Sequence, residues 1–477
     1  MGTIKFTCDT DDLIDRECLS QADFVTFDGR IVPTVTEYSQ GQLTCQRQMT
    51  DSSKLRLMCR VGTRTLVAQT TSLGESDKPY CLELELARGE LARVRTFFAL
   101  WTGAGLKSNT TLESRIQLAH NAFRKAIFSD SASEAITAFQ LASDASDSLV
   151  LEYVRQRLTF RRQRQHRFPM TVGCRLTNVP QQEEQFLSAF NSVLVKTRWS
   201  QLEPVDGEYQ WEDLDQLVQW ASEHGLLCCG GPLLDLSSDC FPKWMESWKG
   251  DLVNLQSFTS DFVETVVGRY VGRIRHWEVV CGSNRGGSNE LSEEQRLNLI
   301  ARAIEAAQQV DEQIQISIRV VQPWGEYLNH TSNQLAPIQF VDTLRRSGVR
   351  LSEVNLDLRF GTKELASLQR DPMSISQLLD HWSLLQMPLN VMMTVPEQPN
   401  FTQHDNLPTM IAWQCKMVED VMLLCLSKER VSGFYCLNWN DTTVNDQPLL
   451  DSAGHMHPMV ERIANFEKSW WQVSDKP

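Results

Sequence analysis

The sequence predicts an α/β fold, a (β/α)8 TIM barrel preceded by a smaller β-rich domain and a helical connector. From residue 168 onward, short apolar runs alternate with amphipathic helical stretches, a pattern typical of parallel βα units. About 300 residues hold eight runs of each kind, which matches the usual size of a closed barrel. No glycine-rich phosphate fingerprint follows the first predicted strand, so a doubly wound open sheet is the less favoured alternative.

Residues 1–105 are predicted to form the β-rich domain. Short β-type runs separated by turn residues lie at 24–27, 55–61, 65–69 and 80–86. Between residues 106 and 167 apolar residues recur at helical spacing, which predicts the connector. A carbohydrate-binding sandwich is one interpretation of the first domain, although that segment shows no cluster of aromatic residues to support it.

The barrel is predicted to occupy residues 168–477. The predicted strands are 171–176, 192–199, 226–234, 275–281, 315–321, 353–360, 389–395 and 433–438. The predicted helices are 182–190, 212–224, 254–270, 292–309, 335–347, 374–386, 410–427 and one that follows His457.

Composition limits the classes of partner. With 42% hydrophobic and 22% charged residues, the chain can bury a sizeable core. Its net charge of −14 argues against nucleic acid as a main partner. A basic run at 155–167 is interpreted as a solvated helix end, with an anion- or partner-binding patch as the alternative. No run approaches the roughly 18 apolar residues of a membrane helix, so no membrane association is predicted.

Thirteen cysteines are present, with no CxxC pair and no Cys/His cluster at zinc spacing. Many lie inside apolar runs, which favours buried reduced thiols over disulfides. The first twelve residues lack the basic and apolar regions of a signal peptide. We therefore predict a cytoplasmic location, no metal site and no cofactor.

Several motifs in the second half of the chain resemble the family-ten xylanases. Residues 199–211 read W-S-Q-L-E-P-V-D-G-E-Y-Q-W, residues 267–274 read V-G-R-Y-V-G-R-I, and residues 448–451 read P-L-L-D. The similarity extends over about three hundred residues in the order of that family. It implies a (β/α)8 barrel related to endo-1,4-beta-xylanases, which cleave with two glutamates.

Both catalytic glutamates that the resemblance implies are missing. The family places its acid/base after a W-D-V-V-N segment. In this chain Cys281 and Gly282 follow the corresponding W-E-V-V. The family's nucleophile ends the seventh strand in a T-E-L-D run, and Val395 occupies its place here. The resemblance therefore predicts a barrel that is catalytically inactive or strongly altered.

Other carboxylates could replace the lost pair. The cleft of a barrel lies at the C-terminal ends of its strands, where the sequence places Asp235, Asp357, Glu397 and Asp441, with Glu326 in the loop after strand five. We take Glu397 and Asp235 as the candidate catalytic residues. The alternative is that these carboxylates are structural, as carboxylates at strand ends commonly are.

The predicted cleft is lined by polar and aromatic residues near the strand ends. These are Arg198, Asp235, Asn284, Gln322, Trp324, Tyr327, Asp357, Arg359, Glu397, Asn438, Trp439 and Asp441. The two arginines either bind an anionic group such as a uronate or sulfate, or form ion pairs with neighbouring aspartates. Trp324 either stacks on a sugar or packs within its own loop.

Two functions follow from this sequence. The first is a retired glycosidase that binds a poly- or oligosaccharide, or a protein partner, without turnover. The second is an active glycoside hydrolase that uses relocated carboxylates on an atypical substrate. A cleft filled by Leu194, Leu236, Val395 and Leu437 would favour the first.

Overall fold

The structure is a computed structural model that describes residues 2–10, 12–61, 64–164, 168, 170–236, 241–248, 250–287, 291–363, 365–397, 407–444 and 446–470. The chain divides into two compact units. The first unit contains residues 1–164 together with two later segments, 325–336 and 368–377. The second contains the remainder. The domain boundaries after residues 105 and 167 stay predictions.

The first unit contains two four-stranded sheets. Its strands are β1 (Gly2–Thr7), β2 (Asp23–Val25), β3 (Ile31–Val32), β4 (Thr34–Ser39), β5 (Gln42–Arg47), β6 (Lys54–Val61), β7 (Arg64–Gln69) and β8 (Tyr80–Cys81). One sheet has the order β4-β5-β1-β8 and the other β3-β2-β6-β7. Phe6 and Phe24 from the two sheets share one buried core with Phe139 from the helices, which explains the alternating apolar pattern of these strands.

Three long helices complete the first unit: α1 (Leu82–Gly103), α2 (Thr110–Ser129) and α3 (Ala132–Arg164). The prediction of a strand over 80–86 was wrong, since the strand ends at Cys81 and α1 begins at Leu82. The run L-E-L-E-L alternates as a strand does, but both of its glutamates are buried, along with Leu82 and Leu86. Glu83 accepts the backbone N–H groups of Asp9 and Thr10 at 2.8 and 2.9 Å.

The two later segments of the first unit are fixed by polar contacts. Asn329 accepts the N–H of Thr34 at 2.7 Å, and Glu326 pairs with Arg370 at 2.8 Å. Asp371 pairs with Arg93, whose guanidinium also binds Glu90. Glu326, which the sequence placed near the cleft, therefore belongs to a buried ion pair of this unit.

The second unit is a closed parallel barrel, as predicted. Its strands are β9 (Thr171–Leu176), β10 (Ser192–Val195), β11 (Leu227–Gly230), β12 (Leu234–Asp235), β13 (His276–Cys281), β14 (Gln315–Val320), β15 (Glu353–Asp357), β16 (Leu389–Met393) and β17 (Val431–Cys436). β17 pairs with β9 and closes the barrel. β11 and β12 both pair with β13 and are two parts of the third barrel strand.

With one exception, the remaining helices lie close to the predicted ranges. They are α4 (Glu183–Ala189), α5 (Trp199–Leu202), α6 (Glu212–Glu223), α7 (Leu252–Arg269), α8 (Glu293–Val310), α9 (Pro337–Arg346), α10 (Pro372–Trp382), α11 (Leu407–Ser427) and α12 (Met459–Trp470). The short α5 was not predicted and begins at the end of the strand predicted over 192–199. The start of α8 shows how local sequence sets a helix boundary. Ser292 and Gln295 form a capping box there.

Candidate functional site

The candidate site is the mouth of the barrel, where the C-terminal ends of its strands meet. Residues of one barrel strand alternate between the interior and the surrounding helices. Gly173 faces the interior, since a Cβ there would lie 2.6 Å from the ring of Tyr435. Arg175, two residues later on β9, therefore also faces inward, toward the mouth.

Gly282, which the resemblance predicts to stand in place of the acid/base, lies in a turn and has no side chain. Gly282 has a φ of 70°, a left-handed conformation that favours glycine. Its N–H donates to the carbonyl of Arg319 at 3.1 Å, and its own carbonyl accepts from Gly286 at 2.9 Å. Burial raises the pKa of the neighbouring Cys281 thiol well above its usual range, so this thiol is protonated at neutral pH.

Val395, which the resemblance predicts to stand in place of the nucleophile, is apolar and buried. Val395 is 2% exposed. Leu194 and Leu437 are also buried, and they pack with Cys229, Met392 and Tyr435 in one cluster inside the barrel. Leu236 is buried as well. Of the four residues predicted to fill the cleft, Leu194 and Leu437 thus share one cluster, and Val395 and Leu236 are buried without belonging to it.

A polar network occupies another part of the barrel interior. Arg319 on β14 binds Oε1 of Glu278 through Nε at 3.0 Å and through Nη2. The other carboxylate oxygen of Glu278 accepts from Asn355 at 2.7 Å, and the same amide lies 3.0 Å from Ser317 Oγ. Both charged side chains are almost fully buried. Glu278 is therefore held by its neighbours and supports the strand ends.

Asp357 ends β15 among arginines. Its Oδ2 lies 3.3 Å from Nη2 of Arg359 and 3.9 Å from Nη1 of Arg319. Burial raises the pKa of Asp357, and the two arginines oppose that shift. Arg359 also approaches Asp446 at 3.7 Å. The ion-pair interpretation of Arg359 thus describes the contacts that this residue makes.

Lys196 and Asp441 form a second ion pair at the mouth, with Nζ and Oδ2 2.6 Å apart. Asp441 also accepts from the backbone N–H of Thr443 at 2.9 Å. Burial tends to raise the pKa of Asp441, but the hydrogen bonds from Lys196 and Thr443 outweigh it and lower the pKa. The pair connects the end of β10 to the loop after β17.

Asp441→Asn should destabilise the protein by about 2 kcal/mol at pH 7, because it leaves the Lys196 ammonium largely buried without its carboxylate. The lowered pKa means that Asp441 stabilises the fold above the ordinary aspartate pKa of about 3.9. That contribution is lost as the pH falls through the lowered value. Urea denaturation of both proteins at pH 7 and pH 3 checks this, and a difference that grows on acidification would contradict it.

Four predicted cleft residues are engaged in local structure. Asn284 donates to the carbonyl of Val321 at 2.8 Å and accepts its N–H at 3.2 Å. Gln322 donates to the carbonyl of Ala366 at 2.9 Å. Asn438 donates to the carbonyls of Asp441 and Asp446 at 3.2 and 2.9 Å. Tyr327 lies in the first unit, 1% exposed, with its hydroxyl donating to Leu335.

Two tryptophans of the predicted cleft differ in their surroundings. Trp439 is fully buried and packs edge-on against Phe186 and Phe190, so its ring is part of the core. Trp324 is half-buried, with its ring centroid 5.9 Å from that of Phe360. Trp324 therefore retains surface that a sugar ring can contact.

The two candidate catalytic residues lie in different loops. Glu397 follows β16, and its carboxylate pairs with Lys363 in the loop after β15. Both side chains keep more than a third of their surface exposed. Asp235 ends β12 and is in register with Cys281 of β13. The loops at 237–240, 288–290 and 398–406 lie outside the described residues.

Sequence reasoning did not assign Arg175 and Arg319 to the mouth. Both interrupt apolar strands, T-V-G-C-R-L and Q-I-S-I-R-V. A charged residue at an inward-facing position of a barrel strand is the signal that would have indicated them. Arg198, which was predicted, is half-buried just after β10.

The described ranges contain neither a candidate membrane span nor a candidate metal site. No helix there combines the length and apolar character that a bilayer span requires. The same ranges contain no group of three or more histidine, cysteine, aspartate or glutamate side chains placed to hold a metal ion.

A comparison with known families decides the ancestry of the barrel. The sequence profile described as "Glycosyl hydrolase family 10" matches residues 162–444, more than half of the chain. The chain belongs to glycosyl hydrolase family 10. The members of that family to which it is similar include endo-1,4-beta-xylanase 3 of Hypocrea jecorina, 36% identical over 83 residues, which are 17% of this chain and 23% of that enzyme.

Other family-10 proteins are similar over longer stretches. Endo-1,4-beta-xylanase A of Phanerodontia chrysosporium is 23% identical over 253 residues, covering 51% of this chain and 57% of that enzyme. Native xylanase 10B from Thermotoga maritima is a solved structure with 15% identity and a TM-score of 0.49, covering 66% of this chain and 98% of that one. The chain matches between 23% and 57% of the lengths of these two curated relatives.

Proposed function

We propose that this family-10 chain binds a carbohydrate at the mouth of its barrel and does not cleave it. The proposal rests on two residues, Gly282 and Val395, which stand where the resemblance places the catalytic glutamates. A retaining glycosidase needs two carboxyl groups about 5–5.5 Å apart, one as nucleophile and one as acid/base. Here one position has no side chain and the other has a buried aliphatic one.

Glu278 and Glu397 are both engaged in other contacts. Glu278 accepts hydrogen bonds from Arg319 and Asn355, so both of its oxygens are occupied. Glu397 pairs with Lys363. A nucleophile must be free to attack the sugar and an acid must be free to donate to the leaving oxygen. These contacts support binding without turnover.

Carbohydrate is the favoured ligand because the mouth retains features that recognise sugars. Trp324 keeps part of its ring accessible, and aromatic rings stack on the apolar face of a sugar. Family-10 relatives named as endo-1,4-beta-xylanases suggest a xylan-like chain as the first probe. A protein partner is the other ligand that a family-10 barrel without catalytic activity could bind.

One observation favours the alternative of an active hydrolase with relocated carboxylates. The Oδ1 atom of Asp357 is buried and has no hydrogen-bond partner among the described residues, and burial raises the pKa of this carboxyl. A carboxyl with a raised pKa is the usual form of a general acid. Asp235, which ends β12 in register with Cys281, would then be its partner.

Reducing-sugar release and affinity electrophoresis on xylans, glucans and aryl glycosides test the proposal. We expect binding to at least one glycan and no release above a heat-inactivated control. The variants Glu397→Gln and Asp235→Asn remove the candidate catalytic carboxylates while keeping similar shapes. Release that disappears in either variant would establish the alternative hydrolase. Absence of both release and glycan binding would point to a protein partner and contradict the proposal.

A further inference from the structure

Arg175 is a cation at the barrel mouth that lacks a carboxylate of its own. Its Nε and Nη2 atoms are buried without a hydrogen-bond partner in the part of the chain that the structure describes. The residue as a whole is only half-buried, so part of it lies at the solvent-accessible surface. A buried donor left unpaired costs free energy that a bound acceptor would recover.

The nearby carboxylates are each engaged by another cation. Glu278 is bound by Arg319, and Asp357 lies between Arg319 and Arg359. Further out, Asp441 pairs with Lys196, and Asp446 lies beside Arg359. Each of these four carboxylates therefore has a cation other than Arg175 as its partner.

Arg175 has charges of both signs near it. Burial is the main cause that lowers its pKa to about 10, repulsion from Arg319 adds to that shift, and attraction to Glu278 opposes it. A bound water could accept a hydrogen bond from Arg175, but an anion would accept a stronger, charge-assisted one.

We infer that the mouth binds the acidic group of an anionic sugar, a carboxylate or a sulfate, on the guanidinium of Arg175. The inference rests on the proposed function for the rest of the sugar. A guanidinium presents parallel N–H donors that match a carboxylate or a sulfate. Arg359 adds a donor, because its Nε is buried without a hydrogen bond to a described residue. Asp357 Oδ1 can accept from a neighbouring sugar hydroxyl.

Small probes test the anion site without assuming a polysaccharide backbone. Thermal unfolding of the full chain is followed with glucuronate, with its neutral methyl ester and with glucose 6-sulfate, all at equal ionic strength. We expect glucuronate or the sulfate, and not the ester, to raise the melting temperature. Comparison of the two anions identifies which acidic group the site prefers. Equal shifts with the acid and its ester, or no shift with either anion, would overturn the inference.

Two charge-removing variants locate the effect. Arg175→Met should weaken binding of the preferred anion by about 10- to 100-fold, as expected for a charged hydrogen bond. Arg350→Met removes one positive charge from an exposed position and should leave the affinity unchanged. Retention of the anion affinity in Arg175→Met would show that water, and not an anion, occupies this position. Should Arg175→Met fail to fold, Arg175→Lys keeps the charge but loses the paired donors, and unchanged affinity in that variant would equally count against the site.

The outcomes separate this inference from the proposed function. Anion-dependent stabilisation that Arg175→Met abolishes, with no binding of any oligosaccharide, would keep the anion site and remove the proposed glycan function. Binding of neutral oligosaccharides that Arg175→Met leaves intact, without any anion effect, would keep the glycan function and remove the anion site.

Discussion

Replacing Arg319 by methionine is expected to destabilise the barrel by about 3–5 kcal/mol, the range found when one partner of a buried ion pair is removed. Arg319 and Glu278 are 2% and 1% exposed. The substitution would leave the Glu278 carboxylate buried, with Asn355 as its remaining donor. Asp357 would also lose one of its two arginines.

Urea denaturation monitored by tryptophan fluorescence measures this effect in the barrel, because twelve of the thirteen tryptophans follow residue 198. The double variant Arg319→Met with Glu278→Leu is the matched control. It removes both charges, so it should recover part of the loss, since the uncompensated carboxylate is gone. A single variant that loses less than about 1 kcal/mol would show that the network contributes little to stability.

The variant Val395→Glu is expected to be less stable than the wild type by about 3–5 kcal/mol, because the substitution buries an unpaired charge. We expect that it does not restore hydrolysis. Burial would raise the pKa of the new carboxyl. The destabilisation should therefore shrink as the pH falls through that raised pKa and the group is protonated. Val395→Thr, of similar volume and without charge, is the control and should cost considerably less.

Adding Gly282→Glu to this variant should not restore activity either. A non-glycine residue at a φ of 70° lowers the stability of the fold by about 1–2 kcal/mol. The turn also fixes the direction in which the new side chain leaves the backbone. Reducing-sugar release from xylan by the double variant is the measurement. Robust release would show that only two side chains had been lost, and that the rest of the mouth remains arranged for catalysis.

The barrel could be predicted from the sequence because its signal is local. Each predicted barrel strand overlaps an observed one, since apolar runs of strand length report burial on both faces of a parallel strand. The strand predicted at 80–86 failed because period-two alternation assumes that polar residues are exposed. Glu83 and Glu85 are instead buried, and Glu83 binds backbone amides that lie more than seventy residues away.

The site could be predicted only in part, because its geometry depends on contacts between distant residues. The sequence predicts that Gly282 and Val395 stand in place of the two glutamates, and it places Asp357 and Arg359 close together along the chain. It gave no indication that Trp439 would pack against Phe186. It also did not show that Arg319 would take Glu278 as its partner and leave Arg175 without one.

The most direct test of binding without cleavage is a single-turnover experiment. The full chain, in excess, is incubated for days with an end-labelled xylo-oligosaccharide or with any glycan that the affinity screen identifies, and the products are read by mass spectrometry. We predict that the labelled chain is bound and remains intact. Shorter labelled products formed by the wild type and lost in Asp357→Asn or Asp235→Asn would contradict the account and establish a hydrolase with relocated carboxylates.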